Sequence, residues 1–148
     1  MTNNYKQIQL TNTAIGDVAV DALIPLGSVT RRINTPQSCC NTFTLSTSGA
    51  NTLTINDVGF YKITYVLNAT AAAAGEVTVA LLTNGTSVNT VSQAIVDETA
   101  AVNMTLVYTI RVFPNCNSAI NNCPVNVQMQ NTGIALTGAT SNLIVEKI

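Results

Sequence analysis

Residues 53–65 read Leu53-Thr54-Ile55-Asn56-Asp57-Val58-Gly59-Phe60-Tyr61-Lys62-Ile63-Thr64-Tyr65, and they constrain the architecture of this chain most tightly. Apolar residues alternate in Leu53–Ile55 and again in Phe60–Leu67, which is the period of a half-buried strand. Asn56–Gly59 between them is a turn signal. The sequence therefore predicts two strands joined by a turn. In the second strand Tyr61, Ile63 and Tyr65 share one face, and Phe60, Lys62, Thr64 and Val66 share the other.

The same alternation continues along the chain. Further strands are predicted at Val20–Leu26, Val29–Ile33, Phe43–Leu45, Val77–Leu82, Ser87–Val91 with a continuation at Ala94–Val96, Val102–Phe113, Val125–Met129 and Leu143–Ile148. Asn84-Gly85 predicts a hairpin, because both residue types accept positive φ. Ala71–Ala74 is too short to nucleate a helix and precedes a glycine, so we expect a loop there. Eight to ten strands without a helix predict an all-β, antiparallel jelly-roll sandwich.

Length and composition agree with one β domain. The chain has 148 residues, of which 47% are hydrophobic and only 9% are charged, with a net charge of −1. It contains 22 Thr and 18 Asn, which suit pleated surfaces and tight turns respectively. We expect residues 1–19 to form an N-terminal arm or an edge strand, and residues 20–148 to form the jelly-roll domain.

The composition disfavours several functions. There is no His, so nucleophile systems and metal sites that need imidazole are excluded. The adjacent acids Asp97 and Glu98 would point to opposite faces of a strand, so a solvated turn is favoured over a glycosidase pair. Six basic residues without a cluster disfavour nucleic-acid binding. No apolar run suits a membrane span, and Met1–Leu10 lacks the apolar core of a signal peptide. We therefore predict a non-enzymatic protein with no cofactor and no nucleic-acid or membrane partner.

The turn and strand around Gly59 resemble the TNF/C1q-like jelly-roll superfamily, in which a turn ending in Gly precedes a strand of the form G-x-Y-x-[VIF]. Val77–Leu82 followed by Asn84-Gly85, and the terminal strand in Ser141–Ile148, are similar to the same group. The nearest resemblance is to the C-terminal domains of BclA-type spore-surface glycoproteins and to jelly rolls of phage structural proteins. It implies a homotrimer displayed at a surface.

Four cysteines, Cys39, Cys40, Cys116 and Cys123, are candidates for disulfides. A bond could close the Cys116–Cys123 loop or tie that loop to the Cys39-Cys40 segment, and reduced buried thiols are the alternative. A tetrahedral metal site is disfavoured because adjacent cysteines chelate one ion poorly. We predict no metal.

Four aromatic residues, Tyr61, Tyr65, Tyr108 and Phe113, fall on apolar strand faces. They are candidates either for a trimer axis, which the resemblance implies, or for the core of a single domain. The sequence does not separate the two.

The resulting hypothesis is a virion structural protein made in the cytoplasm, a phage capsid decoration or head-fibre protein that forms surface trimers. Its partner would be the major capsid protein or another particle protein, contacted through the N-terminal arm. The alternatives are a spore-surface (exosporium) protein and a carbohydrate-binding module. The carbohydrate-binding module is disfavoured, because such modules bind sugars through exposed aromatic residues and this chain has no Trp.

Overall fold

The computed structural model describes residues 5–33, 42–113 and 124–148. In these residues the chain forms ten strands and no helix. The strands are β1 Gln7–Val18, β2 Ser28–Ile33, β3 Phe43–Leu45, β4 Leu53–Ile55, β5 Gly59–Ala71, β6 Gly75–Thr83, β7 Thr86–Ile95, β8 Ala101–Val112, β9 Val125–Asn131 and β10 Leu136–Lys147.

The strands form two antiparallel sheets of five. The first sheet has the order β2-β1-β10-β5-β8 and the second has the order β3-β4-β9-β6-β7. Consecutive strands β5 and β6 lie in different sheets, and the terminal strand β10 lies beside β5. This arrangement confirms the predicted all-β jelly-roll sandwich.

The core lies between the two sheets and follows the predicted alternation. Tyr61, Ile63, Tyr65 and Leu67 of β5 are all buried, and so are Val125, Val127 and Met129 of β9. The rings of Phe43 and Tyr61 meet edge to face across the sandwich, with centroids 5.9 Å apart. Since alternate residues of each inner strand enter this core, the intervening residues must point to solvent or to a partner.

The hairpin predicted at Asn84-Gly85 is confirmed. Both residues have positive φ, 50° and 82°, and they join β6 to β7 with Thr83 opposite Thr86. Gly59 also has positive φ, and a Cβ there would collide with the Lys147 side chain. The turn before β5 therefore requires the glycine that the motif places there.

Two expectations for the N-terminal part were wrong. Strand β1 is neither an arm nor an edge strand, because it pairs with β10 on one side and, over Gln7–Thr11, with β2 on the other. Val20–Leu26 is not a strand, and only Leu23 forms an isolated bridge, to Gln130. Asp21 has a φ of 64°, and the segment crosses from the first sheet to the second, where the Ile24 amide donates to the Met129 carbonyl.

Candidate functional site: the outer face of the first sheet

Four neighbouring strands of the first sheet, β1, β10, β5 and β8, present one continuous surface on the side away from the core. We call this surface the outer face. It comprises Gln7, Gln9 and Thr11 of β1, Asn142, Ile144 and Glu146 of β10, Phe60, Lys62, Thr64 and Val66 of β5, and Thr105, Val107, Thr109 and Arg111 of β8.

The middle of the outer face carries no charged side chain on these four strands. Thr64 lies opposite Val107 on one side and opposite Ile144 on the other. Val66, one row further along, lies opposite Asn142 and Thr105. Val107 is 53% exposed. A sheet centre with branched apolar side chains and no charge is typical of a surface that another protein covers.

One end of the outer face is aromatic. Phe60 lies opposite Arg111 and is 49% exposed. The Arg111 guanidinium carbon lies 5.5 Å from the Phe60 ring centroid and 4.5 Å from that of Phe113. Val58 and Ile148 are also exposed beside it, and the Ile148 amide donates to the Phe60 carbonyl. We call Val58, Phe60, Arg111, Phe113 and Ile148 the aromatic end.

The four candidate aromatics separate between core and surface. Tyr61 is fully buried, and its hydroxyl donates to the Asp57 carbonyl oxygen at 2.9 Å. Tyr65 is buried near Ser141, and burial raises the pKa of its hydroxyl, an effect that Ser141 partly offsets. Tyr108 packs, half buried, against the core. Phe113 alone belongs to the outer surface, through its contact with Arg111.

Sequence reasoning missed Phe60, Val107 and Arg111 as site residues. Each stands in a predicted strand, at a position opposite in parity to the core residues. Which residues become neighbours across β5 and β8 depends on the register between strands, and no local pattern in the sequence fixes that register.

Beyond the aromatic end, an ion cluster fixes the turn before β5. Asp57 Oδ2 accepts from Lys6 Nζ at 2.8 Å and from Lys147 Nζ at 3.0 Å. Burial alone would raise the pKa of Asp57, but hydrogen bonds and charge from the two lysines outweigh it and hold that pKa below its ordinary value. The ion cluster joins the β4–β5 turn to the start of β1 and to the end of β10.

The other candidates yield no second site. Cys39, Cys40, Cys116 and Cys123 lie outside the described residues. Asp97 and Glu98 are exposed in the turn between β7 and β8. In the three described ranges no three His, Cys, Asp or Glu residues converge as a metal site would need. No helix in those ranges is long and apolar enough to cross a membrane.

No protein-family model and no curated protein sequence matches this chain. Solved structures do match over nearly its whole length. The vertex protein P5 of PRD1 is 16% identical with a TM-score of 0.61, covering 97% of this chain and 73% of P5. The globular domain of a zebrafish complement 1qA protein is 7% identical with a TM-score of 0.60, covering 95% and 94% respectively.

A TNF protein, Eiger from S. frugiperda, is 11% identical with a TM-score of 0.66, and the match covers 99% of this chain and 94% of Eiger. These neighbours share the two-sheet sandwich described above and differ in their names and settings. At such identities the likeness concerns the fold. The resemblance predicted from the turn and strand around Gly59 is therefore confirmed, and the chain has the TNF/C1q-like jelly-roll fold.

Proposed function

We propose that this chain is a non-enzymatic structural protein of a viral particle, a capsid decoration or head-fibre protein displayed at the particle surface as a homotrimer. One finding supports the viral setting: the fold matches the vertex protein P5 of PRD1 over 97% of this chain. It agrees with the resemblance to jelly rolls of phage structural proteins that the sequence predicts.

The observation that carries the trimer is the outer face. A half-exposed Val107 and Phe60, with Ile144 and Val66 between polar uncharged neighbours, form a surface that gains free energy when covered. The second sheet is different, since none of the large hydrophobic residues of its five strands is exposed. We therefore assign the contact between copies to the first sheet.

The proposed contact with the particle differs from the one expected from the sequence, which was the N-terminal arm. Strand β1 pairs with β10 and, over Gln7–Thr11, also with β2, so this segment is part of the first sheet and does not extend to a capsid protein as an arm. We propose that the particle partner contacts a surface that the outer face leaves uncovered in the trimer.

Light scattering after size exclusion tests the trimer. We expect a mass near three times 15.5 kDa for the wild type. Val107→Glu places a charge in the uncharged centre of the outer face and should give a monomer. The matched control is Val96→Glu, because Val96 is 85% exposed in the β7–β8 turn and should leave the mass unchanged. A monomeric wild type at all concentrations would contradict the trimer.

Immunogold microscopy of cultures of the source organism tests the setting. An antibody against the purified chain should label virus particles at their surface. Label on spores instead would replace the viral proposal with the exosporium alternative, and leave the trimer untouched.

A further inference from the structure

Arg111 is a charged residue of the outer face that has no carboxylate partner among the described residues. Its guanidinium carbon lies 5.5 Å from the Phe60 ring centroid and 4.5 Å from the Phe113 ring centroid, so cation–π attraction to the two rings holds the side chain. No carboxylate in the described ranges lies within ion-pairing distance, and its side chain makes no hydrogen bond there. Its planar fork of donors is therefore held in place and left for an incoming carboxylate.

The outer face also carries one acid, Glu146. Glu146 lies on β10, opposite Gln7 and Lys62. Its Oε2 accepts from the Tyr5 hydroxyl at 3.1 Å, and within the described residues it forms no ion pair with a lysine or arginine. Asp57, in the turn before β5, is already engaged by two lysines.

The two groups stand in neighbouring rows of the outer face. Glu146 belongs to the row of Lys62 and Thr109, and Arg111 belongs to the next row, that of Phe60. Two residues along a strand correspond to about 7 Å, a distance that an arginine side chain spans. Strand β5 lies between β10 and β8, so the two side chains leave the same sheet about two strand spacings apart.

In a ring of copies, the surface around Arg111 of one copy can meet the surface around Glu146 of the next. Contacts in a threefold ring are heterologous, so one patch of a copy meets a different patch of the next. Phe60 and Val107, two exposed hydrophobic residues of the outer face, lie on β5 and β8, and β8 is an edge of the first sheet. If the ring axis runs along these strands, rotation preserves height and carries the β8 edge onto the neighbour's outer face.

We propose that Arg111, which contacts Phe60 and Phe113, binds the Glu146 carboxylate of the next copy, beside the Tyr5 hydroxyl, and so fixes the register of the trimer. This inference rests on the proposed trimer and deepens it. The aromatic rings supply the buried contact, and the ion pair supplies the orientation. A carboxylate from a particle protein is the competing occupant, which the experiment separates.

Charge exchange tests the pair. Arg111→Glu and Glu146→Arg each place like charges together, and we expect each to raise the trimer's dissociation constant about tenfold or more in sedimentation at low salt. The double variant, Arg111→Glu with Glu146→Arg, restores opposite charges and should return the constant to near the wild-type value. Glu76→Arg, at an exposed position on β6, is the matched control and should change nothing. Circular dichroism verifies that every variant folds.

The outcomes are distinguishable. Dissociation by the single variants without recovery in the double variant would overturn Glu146 as the partner. Unchanged trimers in both single variants would overturn the ion pair while leaving the trimer intact, and loss of particle binding by those trimers would assign Arg111 to the particle partner. A monomeric wild type would remove the proposed trimer itself.

Discussion

At the scale of single residues, Asp57 shows how one carboxylate holds three parts of the chain. Its Oδ2 is shared by Lys6 and Lys147, whose strands flank each other in the first sheet. Asp57→Asn leaves two lysine ammonium groups side by side, and we expect the free energy of unfolding to fall by about 1 kcal/mol. Urea denaturation measures it. Asp97→Asn, at an exposed turn position, is the control and should change stability by far less.

The same carboxylate predicts a pH dependence. Because the pKa of Asp57 is lower in the folded chain than its ordinary value, its stabilisation is complete above the unfolded pKa, about 4, and is lost as the pH falls through the folded pKa. Urea midpoints of the wild type should therefore decline from pH 5 towards pH 2 more steeply than those of Asp57→Asn. Parallel declines would contradict the assignment.

Asn131 is a fully buried polar residue that joins the β9–β10 turn to the segment that follows β1. Its Nδ2 donates to the carbonyls of Ile134 and Ala19, at 2.9 and 3.3 Å, and its Oδ1 accepts from the Gly133 amide at 3.1 Å. Asn131→Ala leaves these buried groups unpaired, so we expect a loss of about 2–3 kcal/mol in thermal or urea unfolding. Asn89→Ala, which removes no side-chain hydrogen bond in the described residues, should cost less than about 0.5 kcal/mol.

The cysteines give a further residue-scale prediction, which rests on the sequence. We expect at least one disulfide, either between Cys116 and Cys123 or between that loop and the Cys39-Cys40 segment. Alkylation of the natively purified protein followed by mass spectrometry should find fewer than four free thiols, and reduction should lower stability by about 2–4 kcal/mol. Four free thiols would contradict this prediction.

At the scale of elements, Gln93 closes part of an open sheet edge. From β7 in the second sheet, its Oε1 accepts from the Asn103 amide and its Nε2 donates to the Ala101 carbonyl, both at 3.1 Å. The side chain thus occupies the place of a neighbouring strand beside β8. Gln93→Ala should lower stability by about 1 kcal/mol and accelerate hydrogen exchange of the Asn103 amide. Asn89→Ala, on the same strand and without a side-chain hydrogen bond in the described residues, is the control, and equal exchange in both variants would contradict the role.

Strands with a clear two-residue period were predictable, because burial of one face requires an apolar residue at every second position. Phe60–Leu67 and Val102–Phe113 lie in β5 and β8, and the Asn84-Gly85 hairpin follows from backbone freedom alone. The N-terminal part was not predictable. The polar residues of β1 gave a weak alternation, although the strand is interior, and Ile24 and Leu26 are buried in a crossing segment with no regular period.

The sequence predicted which residues share a face of β5, but not which residues of different strands become neighbours in the site. The two faces of β5 were separable by parity, which set Tyr61 and Tyr65 apart from Phe60. The aromatic end, by contrast, arises from register, because Arg111 reaches Phe60 only across β5 and β8. Pairing between strands distant in sequence is a property of the whole sheet.

At the scale of the whole molecule, unfolding should reveal whether copies of the chain stabilise each other. If the folded state is a trimer, each tenfold increase in concentration raises the free energy of unfolding by about 2.7 kcal/mol per trimer, since two associations each contribute about 1.4 kcal/mol. The thermal midpoint should then rise with protein concentration. In Val107→Glu the midpoint should become independent of concentration and lower, because the outer face stays exposed. A wild-type midpoint that does not move over a hundredfold range of concentration would mean that this fold is stable as a single chain, and that the exposed Val107 and Phe60 serve a different partner.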